Sequence, residues 1–161
     1  MIYRIANPND LYDILVMKNR VKERVIKEKL PIWLNGYPLD EIIIDDINNT
    51  YGRIVELNEK IVSYAVFLPS IIEYEYYLPN LENKYSFGRV MVDDEYLGLG
   101  IGKFLISNMI NEAKNKGAIG MIITADECNI KATNLYKSFG FKKIGEKQFP
   151  YAYLTVYQLI F

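Results

Sequence analysis

The chain has 161 residues, of which half are hydrophobic, and a formal net charge of −1 at pH 7. This length predicts a single domain, residues 1–161, with a sizeable core, and the hydrophobic fraction excludes a disordered chain. The near-neutral charge leaves no basic footprint for nucleic acid, and no apolar run is long enough to span a membrane. We therefore expect a cytoplasmic protein with neither a nucleic-acid nor a membrane partner.

Two residue types limit the chemistry that the chain can perform. It contains no histidine and a single cysteine, Cys128. Without imidazole the common zinc sites and the histidine-dependent catalytic triads are absent, so we expect no metal. Nothing is available to convert Cys128 to a thiolate, and we expect a structural or incidental role for it. A general base must then be a carboxylate, a water molecule or the neutral substrate itself.

The amino-terminal half predicts a strand, two helices and a pair of strands. Residues 2–5 alternate as a strand does, and residues 7–10 offer a cap for a helix whose apolar positions recur every three or four residues. Pro38 and the acidic residues after it predict the start of a second helix. Residues 52–58 and 61–68 then predict two antiparallel strands across a turn.

A strand ending at Val92 leads into a glycine-rich turn and an amphipathic helix. The turn contains Gly98, Gly100 and Gly102. Glycine lets the main chain approach a ligand closely, and the first N–H groups of a helix attract anions. A dinucleotide fingerprint would need glycine at position 103, and a P-loop would need glycine at 97 and Ser or Thr at 104. The turn predicts a different anion site, with an ordinary glycine-rich turn as the alternative.

The chain continues with a helix that ends near Gly117, a short interior strand at 121–125, and a second motif. In that motif Asn129 is a favoured helix N-cap, and Gly140 lies where a left-handed residue would end the helix. Tyr136 falls on the same face as the apolar residues of this helix, so we expect its ring to point inward.

The two motifs together resemble the GNAT superfamily of acyl-CoA-dependent N-acyltransferases. The family's loop pattern, Gln/Arg-x-x-Gly-x-Gly/Ala, is matched at Gly100 and Gly102, with Leu97 at the Gln/Arg position. The second pattern, Asn-x-x-Ala-x-x-x-Tyr-x-x-x-Gly-Phe, is matched at every fixed position from Asn129 to Phe141. The resemblance implies an α/β (α+β) fold: a mixed, mostly antiparallel sheet of six to seven strands, splayed at the fourth and fifth, with about four helices. Its cofactor half would cover about residues 85–147.

The resemblance further implies direct transfer of an acetyl group from acetyl-CoA to a primary amine in a ternary complex. The loop would hold the pyrophosphate, the preceding strand would pair with the pantetheine arm, and Asn129 would hydrogen-bond that arm. Lys103 is the lysine that we expect at the CoA phosphates. The implied cofactor-binding residues are Val90, Met91, Val92, Leu97, Gly98, Leu99, Gly100, Ile101, Gly102, Lys103 and Asn129.

The implied catalytic residue is Tyr136, which would protonate the departing thiolate. A phenol has a pKa of about 10 and a thiol a pKa of about 8.5, so this proton transfer is uphill unless the site lowers the phenol pKa. Hydrogen bonding without full transfer is one alternative role, and an ordinary core tyrosine is another.

The acceptor pocket of the family is usually lined by the segment between the first two helices and by the loop before the fourth strand. In this chain those segments contain Trp33, Tyr37, Glu73 and Glu75. Aromatic rings with carboxylates suit a cationic amine, although the same residues could simply pack or be solvated. We expect a small-molecule amine as partner and leave a homodimer open. Acetylation of a protein N-terminus or lysine, and a non-catalytic acyl-CoA sensor, are the alternative functions.

Overall fold

The computed structural model describes residues 1–161 and contains seven strands and five α-helices. The strands are β1 (Ile2–Ile5), β2 (Gly52–Leu57), β3 (Lys60–Pro69), β4 (Lys84–Val92), β5 (Gly120–Ala125), β6 (Lys142–Gln148) and β7 (Tyr153–Ile160). The helices are α1 (Leu11–Lys27), α2 (Asp40–Asn48), α3 (Ser70–Tyr74), α4 (Ile101–Asn115) and α5 (Ile130–Ser138). Short 3-10 turns occupy Pro8–Asp10 and Asp94–Tyr96.

All seven strands belong to one sheet with the order β1-β2-β3-β4-β5-β7-β6. Neighbours β1 and β2, β2 and β3, β5 and β7, and β6 and β7 are antiparallel, whereas β4 and β5 are parallel. The parallel register pairs Lys84 with Gly120 and Tyr85 with Met121, and it ends there although both strands continue. The mixed, mostly antiparallel sheet predicted from the sequence is thus confirmed. Helix α3 lies where a loop was predicted before the fourth strand, and it adds a fifth helix.

The chain divides into two compact units. The first comprises Met1–Phe67 with Arg89–Asn108. Its core forms because the apolar positions of α1 and α2 recur at helical spacing and the inward residues of β2 and β3 alternate. The buried core residues are Ala6, Ile14, Met17, Val21, Val25, Ile43, Ile47, Ile54, Tyr64 and Met91.

The second unit comprises Leu68–Gly88 with Met109–Phe161. One of its core clusters contains Tyr74, Leu81, Ile122, Phe149 and Val156. Strand β6 lies at the edge of the sheet, and all seven of its residues are exposed. None of the helices combines the length and the apolar character needed to span a bilayer.

Candidate functional site

The last residues of β4 present their backbone groups alternately to two sides. Ser63 Oγ donates to the Met91 carbonyl at 2.6 Å, and the Asp93 N–H donates to the Val62 carbonyl at 3.0 Å. Met91 and Asp93 therefore face β3. Because backbone direction alternates along a strand, the N–H and C=O groups of residues 90 and 92 face away from β3.

Met91 and Val92, at the end of β4, differ in their burial and contacts. The Met91 side chain is fully buried in the core of the first unit. The Val92 carbonyl accepts a long 3.4 Å hydrogen bond from Arg24, which also pairs with Asp94. An open groove of about 600 Å³ lies beside that pair. Three positive and three negative side chains line the groove, so it has no net attraction for an anion: Arg20, Glu23, Arg24, Lys27, Glu28 and Asp94.

The glycine-rich turn exposes its main chain. Residues 97–100 are all exposed, and Gly98 and Gly100 have φ of +78° and +77°, which L side chains rarely adopt. A Cβ atom added to either glycine would meet nothing within 4 Å. The turn therefore leaves open space on the side from which a ligand could approach the backbone.

Helix α4 begins immediately after this turn. The Phe104 N–H donates to the Gly100 carbonyl at 2.9 Å, so the N–H groups of residues 101–103 precede the first bonded turn. The Ile101 side chain is buried, Gly102 lies within the helix and Lys103 is exposed. The predicted loop residues thus form one continuous stretch of free backbone donors at a helix N-terminus, which favours an anion.

A buried polar network lies behind this end of β4. Arg89 donates to both carboxylate oxygens of Asp46, at 2.8 and 2.9 Å, and the Tyr64 hydroxyl donates to Asp46 at 2.9 Å. Arg89 also donates to the Tyr37 hydroxyl at 2.9 Å. Neither Arg89 nor Asp46 was predicted from the sequence. The available signal was an arginine directly before the apolar residues that end this strand.

The segment between α1 and α2 holds both aromatic residues that were predicted for the acceptor. Trp33 is half-buried and packs against the core of the first unit. Tyr37 is also half-buried, with its hydroxyl fixed by Arg89. The neighbouring Gly36 carbonyl accepts a 2.6 Å hydrogen bond from Lys22. Contacts with Lys22, with Arg89 and with the core of the first unit therefore hold this segment in place.

In the second unit Asn129 caps α5. Its side chain accepts a hydrogen bond from the Ala132 N–H at 3.3 Å, and it is partly exposed. At the other end of the helix Gly140 has φ +91°, which matches the left-handed end predicted from the sequence. The motif thus forms the capped helix that its spacing predicted.

Tyr136 projects inward from α5. Its ring lies edge-on to Phe87, with the centroids 5.4 Å apart, and 6.4 Å from Phe141. Its residue exposure is 8%. Burial raises the pKa of Tyr136 to about 12. The hydroxyl is therefore protonated at neutral pH and can donate a hydrogen bond.

This pKa bears on the two chemical roles considered for Tyr136. Donating a proton fully to a thiolate whose conjugate acid has a pKa near 8.5 would be uphill by roughly 5 kcal/mol. Full proton transfer would need a phenol pKa below its ordinary value, whereas burial raises it. The buried environment therefore favours hydrogen-bond donation to a developing thiolate without complete proton transfer.

The predicted glutamates flank a buried tyrosine in the second unit. Glu73 is half-buried in α3, and Glu75 is exposed just beyond it. The Tyr74 hydroxyl lies 3.2 Å from Thr124 Oγ1, near the end of β5. Burial raises the pKa of Tyr74, and the charge of Glu73 adds to that effect. Glu73 therefore lies in the electrostatic environment of this hydroxyl, whereas Glu75 extends into solvent.

Aromatic residues from the loop between β6 and β7 join the same cluster. The ring centroid of Phe149 lies 6.2 Å from that of Tyr74 and 5.3 Å from that of Tyr77. The Tyr151 ring stacks on Phe149 with the centroids 5.6 Å apart. The sequence analysis did not single out Phe149 or Tyr151. Only the density of tyrosines at 74–77 hinted at an aromatic surface here.

Cys128 does not have the properties of a nucleophile. It is exposed, and desolvation together with a hydrogen bond involving Asp126 raises the pKa of its thiol to about 11. The thiol is therefore protonated in neutral solution, which agrees with the structural or incidental role expected for it.

Comparison with known proteins identifies the family to which the chain belongs. A model of the Acetyltransferase (GNAT) family matches residues 16–141. N-acetyltransferase 8B from Homo sapiens is 31% identical over 42% of this chain and 30% of its own length. An uncharacterized N-acetyltransferase from Dictyostelium discoideum is 40% identical over 33% of this chain and 24% of its own length. The matched parts thus span less than a third of these curated relatives.

Solved structures agree at the level of the fold. A GNAT-family acetyltransferase from Streptococcus agalactiae superposes with a TM-score of 0.83 and 21% identity, covering 99% of this chain and 95% of the other. The ribosomal-protein-alanine N-acetyltransferase from Brucella melitensis superposes with a TM-score of 0.76 and 22% identity, covering both chains in full. With the family match spanning most of the sequence, the resemblance inferred from the two motifs is confirmed: this chain belongs to the acetyltransferase (GNAT) family.

Proposed function

We propose that the protein transfers an acetyl group from acetyl-CoA to the primary amine of a small molecule, by direct attack in a ternary complex. Membership of the GNAT family supports acetyl transfer in general. Acetyl-CoA would supply the activated acetyl thioester.

The observation that carries the proposal is the exposed glycine turn at the start of α4. Gly98 and Gly100 adopt positive φ with open space above them, and the N–H groups of residues 101–103 precede the bonded part of the helix. Such a concentration of backbone donors suits a pyrophosphate. Lys103, exposed in the first turn, adds a positive charge where the helix already favours an anion.

Three groups are assigned to the acetyl and pantetheine parts of the substrate. The edge of β4 at residues 90 and 92 offers backbone N–H and C=O groups that face away from β3, and these would pair with the arm and polarise the carbonyl. Asn129 has an amide donor in addition to the oxygen that caps α5. Tyr136 would donate a hydrogen bond to the sulfur as the thioester breaks.

The acceptor assignment rests on charge and aromatic character. Glu73 and Glu75, with Trp33 and Tyr37, are proposed to contact a cationic amine. If so, Glu73→Gln should raise the acceptor KM while leaving kcat little changed, and added salt should reduce the effect. Unchanged kinetics in both Glu73→Gln and Glu75→Gln would exclude these glutamates from the acceptor site.

A panel of acceptors tests the function. Small primary amines and peptides with a free N-terminal alanine or an internal lysine are offered with acetyl-CoA, and CoA release is followed by a thiol reagent in the Cys128→Ala background, which removes the protein's own thiol. Turnover with a small amine supports the proposal, and turnover with peptides alone supports the protein-acetylating alternative. Calorimetric binding of acetyl-CoA without turnover of any acceptor would support the sensor alternative.

A further inference from the structure

Arg89 adopts a backbone conformation that is unusual inside a strand. It lies in the middle of β4 with φ +50°, in the left-handed region. A residue that carries a Cβ is disfavoured there, and such a conformation persists only where its surroundings enforce it. The side chain of Arg89 shows what enforces it in this protein.

The Arg89 guanidinium is clamped from α2. Its Nε and Nη2 atoms donate to the two oxygens of Asp46 at 2.9 and 2.8 Å, which is a bidentate ion pair. The Arg89 and Asp46 side chains are 10% and 8% exposed. Tyr64 holds Asp46 from β3, and Tyr37 accepts from the remaining Arg89 nitrogen, Nη1. Arg89 is therefore anchored directly by α2 and by the segment between α1 and α2, while β3 holds the Asp46 carboxylate in place.

The clamped residue directly precedes the strand edge that is assigned to the thioester. A left-handed residue redirects the strand that follows it, so the conformation at position 89 decides where the backbone groups of residues 90 and 92 point. Beyond it, Met91 and Asp93 are fixed to β3, which leaves the alternate residues on the free side.

We propose that Arg89 is a positioning residue: its ion pair with Asp46 holds residue 89 left-handed and thereby directs the free edge at residues 90 and 92, so that one backbone N–H of that edge reaches the thioester carbonyl. The inference rests on the proposed function, because it assumes that acetyl-CoA binds along this edge. It assigns Arg89 and Asp46 no contact with the substrate. They act through the backbone that they hold.

Two substitutions at position 89 separate this role from simple stabilisation. Arg89→Ala removes the clamp and keeps a Cβ, so the residue should relax to negative φ. Arg89→Gly also removes the clamp but permits positive φ without a Cβ penalty. If Arg89 only stabilises the fold, the folded alanine and glycine variants should both bind acetyl-CoA with the wild-type carbonyl polarisation, because the direction of the strand edge would not depend on the clamp. To avoid leaving Asp46 as an unpaired buried charge, both substitutions are also made with Asp46→Asn.

The readout is the infrared carbonyl stretch of bound acetyl-CoA labelled with ¹³C in its acetyl carbonyl. In the wild-type protein this band should lie below its position in free solution, because backbone N–H groups polarise the carbonyl. Arg89→Ala should lose this shift, and Arg89→Gly should retain a substantial part of it. Affinity for CoA without the acetyl group should be kept in both, since the glycine turn is untouched.

A matched control comes from the other bidentate pair of the first unit. Arg4 donates to both oxygens of Asp10 at 2.8 Å, far from β4 in sequence. Arg4→Ala should lower stability while leaving the carbonyl band in place.

A wild-type band in folded Arg89→Ala, or equal loss of the shift in the alanine and glycine variants, would overturn the role given to Arg89. Failure of the wild-type protein to bind acetyl-CoA would instead overturn the proposed function, and the role of Arg89 with it.

Discussion

At the scale of single residues, the chain has no histidine, and the hydroxyl and thiol groups near its candidate site resist ionisation. Burial raises the pKa of Tyr136 to about 12, and desolvation with the Asp126 hydrogen bond raises that of Cys128 to about 11. Both groups are protonated at neutral pH. Tyr136 is therefore equipped to donate a hydrogen bond, and the acceptor amine must lose its own proton elsewhere.

Removing the Tyr136 hydroxyl should slow the reaction moderately. A hydrogen bond to a charged group contributes about 1.5–3 kcal/mol, so Tyr136→Phe should lower kcat by about 10–10²-fold with the KM for acetyl-CoA nearly unchanged. The ring packing against Phe87 is kept. Steady-state kinetics check this, with Tyr153→Phe as the control because that hydroxyl is on an exposed residue and donates to Glu146. A loss below about threefold would return Tyr136 to a packing role, and a loss above about 10³-fold would restore it as a full proton donor.

The pH dependence should reflect the amine and not Tyr136. Because the folded pKa of Tyr136 lies above its unfolded value of about 10, its contribution to stability is complete below pH 10 and is lost as the pH rises through about 12. Its ionisation therefore adds no limb to the activity profile at lower pH. We expect kcat/KM to rise with pH along a limb that moves with the pKa of the amine offered. A limb fixed near pH 6 to 7 for every amine would instead indicate a carboxylate base with a raised pKa.

At the scale of elements, regular patterns were predictable and irregular ones were not. The capped helix at 130–138 and the turn before α4 follow from local spacing, and both formed as predicted. Helix α3 was missed because its five residues are too few to show a helical period. A strand was expected after the capped helix, but the bounds of β6 could not be predicted, because all its residues are exposed and show no alternation of buried and exposed positions. Backbone pairing with β7, and not a pattern in its own sequence, holds β6 in the sheet.

The start of β5 should tolerate no side chain at Gly120. A Cβ there would lie 2.4 Å from the Leu159 carbonyl oxygen of the neighbouring strand β7. Gly120→Ala should therefore lower the free energy of unfolding by about 1–3 kcal/mol or more, as overpacking does. Denaturant unfolding measures this. Gly145→Ala on the edge strand is the matched control, because a Cβ there meets nothing within 4 Å and should leave stability nearly unchanged.

At the scale of the whole molecule, the fold and its family could be predicted from two local motifs, whereas the network behind β4 could not. Asp46 and Arg89 lie 43 positions apart in the sequence and meet only because α2 and β4 are brought together in the first unit. The same limit applies to Phe149 and Tyr151, which join Tyr74 from the opposite end of the second unit's sequence. Local spacing thus indicates backbone sites well and side-chain networks poorly.

We propose that the backbone of the glycine turn holds acetyl-CoA. Calorimetric titration of acetyl-CoA into Gly100→Val is the sharpest test of this binding site, with Gly117→Val as the matched control. Both glycines have φ +77° and open space above them, so valine imposes the same backbone strain, but Gly117 lies beyond the other end of α4. We predict that folded Gly100→Val loses binding and that Gly117→Val keeps it. Unchanged binding in a folded Gly100→Val protein would contradict the account.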